Sequence, residues 1–143
     1  MAGFKFTESL RGTFQMDGRE RALSFQATAR AENIWQFLHN REATLEGTIT
    51  APGLAAQAPL RGTIVIDPVV GHVIRYDFEF PGDDGHSYRF VGQKDIMAAH
   101  PVESWTTLPA EIRGPNGTLR ATALLHFEAE ELVPFLKSFR AVL

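Results

Sequence analysis

A chain of 143 residues suits one domain spanning 1–143, and at this length about two-thirds of the unfolded surface can be buried. Lys+Arg 14 against Asp+Glu 17, a net charge of -3 and a pI near 5.9 leave no basic field to attract nucleic acid or an anionic membrane. The absence of cysteine excludes disulfides, Cys-zinc sites, iron-sulfur clusters and thiol nucleophiles.

The opening MAGFKFTESLRG lacks the apolar core of a signal peptide, and no apolar run approaches the roughly 20 residues of a membrane span. A cytoplasmic protein without a membrane span is therefore expected. With 11 Phe and 44% hydrophobic residues, the composition is that of a folded domain.

In FKFTESLRGTF, Phe4, Phe6, Leu10, Gly12 and Phe14 share one parity, which predicts a first strand. Met16-Asp17-Gly18-Arg19 reads as a turn. From Arg21 to Ala31 the chain alternates again, with Leu23, Phe25, Ala27 and Ala29 inward. The period then changes: Ile34, Phe37 and Leu38 stand at i, i+3 and i+4, predicting a short helix with Glu32 near its N-terminal dipole.

Two sister strands follow, ATLEGTITA and PLRGTIVID, joined by a loop from Pro52 to Pro59. Each carries a glycine on the inward parity, Gly47 and Gly62, and Gly12 is an earlier echo. Strand glycines mark bulges, bends or a close approach of backbones. Three at equivalent positions predict a sheet curved toward a barrel.

The central feature is VIRYDFEFPGDDGHSYRFVGQKDI, residues 73–96. Ile74, Tyr76, Phe78 and Phe80 alternate with Arg75, Asp77 and Glu79, and after the turn 81–85 His86, Tyr88, Phe90 and Ile96 share one parity. This predicts a hairpin with one aromatic, buried face. On the other face Arg75, Asp77, Glu79 and Arg89 can pair across strands.

Residues 97–103 read as a connection, since Pro101 biases His100 away from helix, and Trp105 to Leu108 as a short strand ending at Pro109. Arg113 to Gly117 is a turn, and Thr118 to Phe127 a last strand. Leu132, Phe135, Leu136 and Phe139 stand at helical spacing and predict a second helix. The strand-then-helix order around Phe25 and Phe37 recurs around Phe127 and Phe135, which suggests an internal duplication. The fold expected is mainly β (α+β), a curved antiparallel sheet or lipocalin-like barrel of about eight strands with two short helices.

The five histidines, His39, His72, His86, His100 and His126, occur at no metal-binding spacing, and no serine sits in a Gly-x-Ser-x-Gly setting. No glycine-rich phosphate loop is present, so neither a metal nor a cofactor is expected. Lys94 has inward parity. It must end at a barrel mouth, be desolvated, or pair with a carboxylate such as Glu8.

The succession FTESLRG, LSF, the glycine-containing strands, YDFEF-x-x-D-D-G-x-x-Y-R-F-V-G-x-K-x-I, WTTL and ELVPFLKSFR, running from Phe6 to Arg140, resembles a known small β-rich domain. It is the one that accompanies oxidoreductases of the glucose-methanol-choline (cholesterol-oxidase-like) class. Phe6-Thr7-Glu8 with Gly12, Asp84-Gly85, Gly92-x-Lys94, Thr106-Thr107-Leu108 and Phe139-Arg140 carry the likeness. The resemblance implies that a flavin-binding or α/β-hydrolase domain supplies the chemistry and the flavin fingerprint. Any oxidoreductase activity is then expected of a neighbour. The segment between Trp105 and Leu108 is shorter than the family's spacing, so that loop does not carry over.

Two functions are expected from these features. The first is a non-catalytic accessory or binding module, with an apolar cavity lined by Tyr76, Phe78, His86, Tyr88, Phe90 and Lys94. Its partners would be an apolar small molecule, an oxidoreductase, or a second copy in a homodimer. The alternative is a small cofactor-free enzyme with His86 or His126 as general base and Lys94 or Tyr88 as electrostatic helper.

Overall fold

The period-two alternation of the chain closes on itself. The computed structural model describes residues 2–128, 130, 137–138 and 140–142. In it, eight antiparallel strands form a barrel: β1 (Gly3–Met16), β2 (Arg19–Ala31), β3 (Glu42–Ala51), β4 (Ala55–Asp67), β5 (Val73–Pro81), β6 (Ser87–Asp95), β7 (Thr107–Arg113) and β8 (Leu119–His126). Each strand pairs with its sequence neighbour, and β1 pairs with both β2 and β8, so no edge remains between them. Closure removes the unpaired amides that an open sheet exposes. A short ninth strand, β9 (Arg140–Val142), pairs with the first residues of β1.

Inward residues follow the alternation residue by residue. Leu10, Phe14, Leu23, Phe25, Leu45, Ile49, Ile64, Tyr76, Phe78, Phe80, Phe90, Leu108, Ile112 and Leu125 are all nearly inaccessible. Gly12, Gly47 and Gly62 lie on that inward parity, and each is where a neighbouring strand comes close. A Cβ on Gly47 would stand 1.9 Å from the Gln26 carbonyl oxygen, and one on Gly12 1.9 Å from that of Leu124. Glycine at these points lets the sheet bend tightly enough to close.

The barrel has two unlike ends. Tight turns at residues 17–18, 52–54, 82–86 and 114–118 close one, and both short helices stand at the other. The loop between β3 and β4 is shorter than the 52–59 expected, because β4 begins at Ala55 and runs through Pro59. Helix α1 (Ile34–Asn40) is capped by Asn33, whose side chain accepts from the Trp35 and Gln36 amides. It buries Phe37 edge-on against Phe4 at 4.9 Å, while Leu38 remains 47% exposed and is not part of the core face.

Helix α2 (Pro101–Thr106) replaces the connection and the start of the strand read from residues 97–108. Pro101 opens it, where its missing amide costs nothing. Val102 and Trp105 are exposed, so no apolar period announced this helix. Strand β7 continues through Pro109 to Arg113 instead of stopping there. The proline is tolerated because the β6–β7 ladder ends at Gly92 opposite Ala110, just short of it. Of the expected C-terminal helix at Leu132–Phe139 only Lys137 and Ser138 are described, both helical, and Leu132, Phe135, Leu136 and Phe139, with the helical part of the second half of the duplication, lie outside the described residues.

Candidate functional site

An eight-stranded barrel is just wide enough for its side chains or one small ligand. Here the two solutions divide the interior. Phe25 sits at the centre with Tyr76 at 5.8 Å, Phe78 at 5.3 Å and Phe90 at 5.5 Å, and Phe78 stacks on Phe90 at 4.5 Å. Phe80 and Tyr88 extend this packing toward the turn end, 5.9 Å apart. That half is filled.

At the helix end the interior opens into a chamber of about 550 Å³. Its walls are Phe4, Phe6 and Glu8 of β1, Phe37 of α1, Ile64 and Ile66 of β4, Ile74 and Tyr76 of β5, Lys94 of β6, Trp105 and Thr106 of α2, and Phe127. Two partings of the barrel wall make this room. β8 follows β1 only from Arg11 to Gln15, and the Thr7 amide and carbonyl beyond are met by the Ser138 hydroxyl at 2.8 and 3.1 Å. β6 and β7 separate after Gly92, so Lys94 has a strand neighbour only on the β5 side, opposite Ile74.

Three polar groups interrupt these apolar walls. Glu8 and Lys94 are 7% and 5% exposed, the only buried charged side chains among the described residues, and Tyr76 is 1% exposed. The Tyr76 hydroxyl donates to Glu8 Oε1. Lys94 Nζ lies over the Tyr76 ring, 5.6 Å from its centroid, a cation–π arrangement. It takes part in none of the ion pairs within 4.0 Å and none of the side-chain hydrogen bonds found among the described residues.

Burial sets the electrostatics. It pushes the Glu8 carboxyl up despite the opposing pull of Lys94 and the Tyr76 hydrogen bond. It holds the Lys94 ammonium down despite Glu8. It drives the Tyr76 phenol well above its ordinary value, with the Glu8 charge adding to the effect. Glu8 and Lys94 therefore both favour their neutral forms more than they would in water.

Of the six residues expected to line a cavity, Tyr76 and Lys94 do. Phe78 and Phe90 belong to the aromatic plug beneath it. Tyr88 is buried at the turn end, where its hydroxyl donates to Asp84. His86 precedes β6 and is exposed, beside an outer groove of about 700 Å³ that also takes in Thr28, Glu46, Arg61 and Glu79. That groove is larger than the chamber but more open, and it holds no buried charged group. His126 is exposed as well, with Nδ1 3.5 Å from the Thr107 hydroxyl.

Glu8, the carboxylate expected as a partner of Lys94, joins it in one chamber, but as a neighbour beyond ion-pair distance. Phe4, Phe37, Ile66 and Trp105 come from four elements whose convergence no local pattern signals. Among the described residues no cluster of three or more His, Cys, Asp or Glu is placed to hold a metal ion, and no helix is long and apolar enough to cross a membrane.

No protein-family model matches the chain, and no curated protein matches it. Function is therefore read from the chamber's own chemistry.

Proposed function

We propose that the barrel is a non-catalytic binding module whose helix-end chamber holds one small, predominantly apolar molecule with an oxygen-bearing end. The observation that carries this reading is Lys94. A primary amine on the wall of an apolar chamber, with no acceptor among the described side chains, costs the fold desolvation energy that packing alone would not retain. A ligand oxygen supplies the missing acceptor. The volume suits a drug-sized ligand, for which pockets run from about 300 to 1,000 Å³.

The charges favour an uncharged occupant. Glu8 and Lys94 already balance each other, whether as carboxylate and ammonium or as acid and amine. A ligand carboxylate would add a buried negative charge that nothing else offsets. Such lipocalin-like holding fits an accessory role beside an oxidoreductase that makes or consumes the molecule, the partner suggested by the glucose-methanol-choline resemblance.

The test is fluorescence titration with Nile red, an uncharged apolar dye, followed by displacement with decan-1-ol. Saturable binding of one dye per chain is expected, displaced by the alcohol and lost in Ile66→Trp, which fills the half-buried rim of the chamber. Dye binding that is unsaturable, or unchanged in Ile66→Trp, would contradict the reading.

A further inference from the structure

The chamber's polar end is more particular than a hydrogen-bond donor needs to be. A hydroxyl or amide would donate to a ligand oxygen at a far smaller desolvation cost than a lysine. What a primary amine offers, and those groups do not, is a carbon-nitrogen double bond with a carbonyl compound. Lys94 is set out for that reaction. Its Nζ faces an apolar chamber, is held by no ion pair among the described residues, and shares the space with a protonatable carboxyl, Glu8, fixed by the Tyr76 hydroxyl. Lys94 also lines an adjoining outer groove of about 380 Å³ between β6 and α2.

We infer that the chamber captures an uncharged apolar aldehyde or ketone as a reversible imine on Lys94, with Glu8 as the proton carrier. This deepens, and rests on, the reading of the chamber as a ligand site.

The unprotonated Nζ lone pair attacks the carbonyl carbon, and the C=O π pair moves to oxygen. That oxygen takes the Glu8 proton, while nitrogen loses one of its own back to the carboxylate. The resulting carbinolamine expels its hydroxyl, protonated by Glu8, as water, and the nitrogen lone pair closes the C=N bond. Loss of the last N–H proton to Glu8 restores the acid. Amine plus carbonyl gives imine plus one water, with no change of oxidation state. The depressed basicity of Lys94 and the raised proton affinity of Glu8 both support this sequence.

The chain suits a direct test, because it contains only three lysines: Lys5, Lys94 and Lys137. The protein is incubated with decanal, reduced with sodium borohydride, and read by intact mass and peptide mapping. A single reduced decyl adduct on Lys94 is expected, with exposed Lys137 and half-buried Lys5 modified far less. Lys94→Arg, which keeps a cation, loses the adduct. Glu8→Gln slows its formation on the order of 100-fold. Adducts confined to Lys5, Lys137 and the N-terminus would overturn the imine. With Nile red binding retained, that result leaves the cavity reading standing; with no dye bound either, both readings fall. Site mapping on the unmodified chain decides the matter even if a Lys94 variant fails to fold.

Discussion

Replacing Glu8 and Lys94 together, as Glu8→Gln/Lys94→Met, is expected to make this protein more stable. Burial holds Glu8 above the ordinary carboxylate range, so the stability it contributes is fully present below its unfolded value and is lost as pH rises through the raised one. Gln does not titrate and can still accept from the Tyr76 hydroxyl. Glu8→Gln therefore gains on the wild type across that window, by about 1.4 kcal/mol for each pKa unit, and matches it in acid. Lys94 works in the opposite sense. Its ammonium costs the fold below its lowered value, so the gain from Lys94→Met is full below that value and fades as pH rises from it toward the ordinary lysine value. Each single replacement also forfeits the attraction between the two groups, whereas the double replacement forfeits it once. Opposite charges 4 Å apart at an effective dielectric of 20 attract by about 4 kcal/mol, and the pair stands beyond that distance, so the double variant should exceed the sum of the singles by less than this. Replacing a buried charge pair by apolar groups of similar volume typically gains about 1–4 kcal/mol, which is the net effect expected here near neutral pH. Urea denaturation of all four chains across the pH range measures both quantities. A double variant less stable than the wild type, or strictly additive singles, would refute the claim that these groups share one desolvated chamber and are kept at a cost to stability.

Phe90→Ala should destabilise by about 3–5 kcal/mol in the same assay, because Phe90 is fully buried and stacked on Phe78. Gly47→Ala drives a methyl into the Gln26 carbonyl, which must move with its strand, and should cost at least about 1–3 kcal/mol despite the small change in volume. Asn33→Ala removes the α1 cap, costing about 1 kcal/mol, and should speed hydrogen exchange at the Trp35 and Gln36 amides. Asp77→Asn tests the outer face: Arg89 holds the Asp77 carboxyl below its usual range, so its stability is present above the unfolded value and lost as pH falls through the lowered one. Because Arg89 is largely exposed, the difference from wild type should stay within about 1 kcal/mol in pH-dependent unfolding.

Much of the barrel was legible because a closed sheet stamps a period of two on its sequence. The alternations through Phe25, Tyr76, Phe78 and Phe90 placed those rings inside, and the glycines at 12, 47 and 62 marked where the wall bends. What the pattern could not give was depth along the barrel axis. Tyr76, Phe78, Tyr88 and Phe90 share a parity, yet only Tyr76 reaches the chamber, since the others lie two or more residues further toward the turn end. His86 carried the inward parity but sits before β6 begins, where parity has no meaning. Helix α2 imposes no period on the sequence, because its six residues bury no side chain. Lys94 stands as a charge on a buried parity, a local conflict of the kind that functional sites retain, and Glu8 is a carboxylate that can partner it. Their meeting depends on β1 and β6 facing each other across the barrel, which only closure brings about.

The most direct measurement is native mass spectrometry of the protein purified from its own host, with and without prior borohydride reduction. One small molecule per chain is expected, released on denaturation in the untreated sample and retained on Lys94 after reduction. A bare chain mass in both samples, together with no uptake of decan-1-ol or decanal, would contradict it.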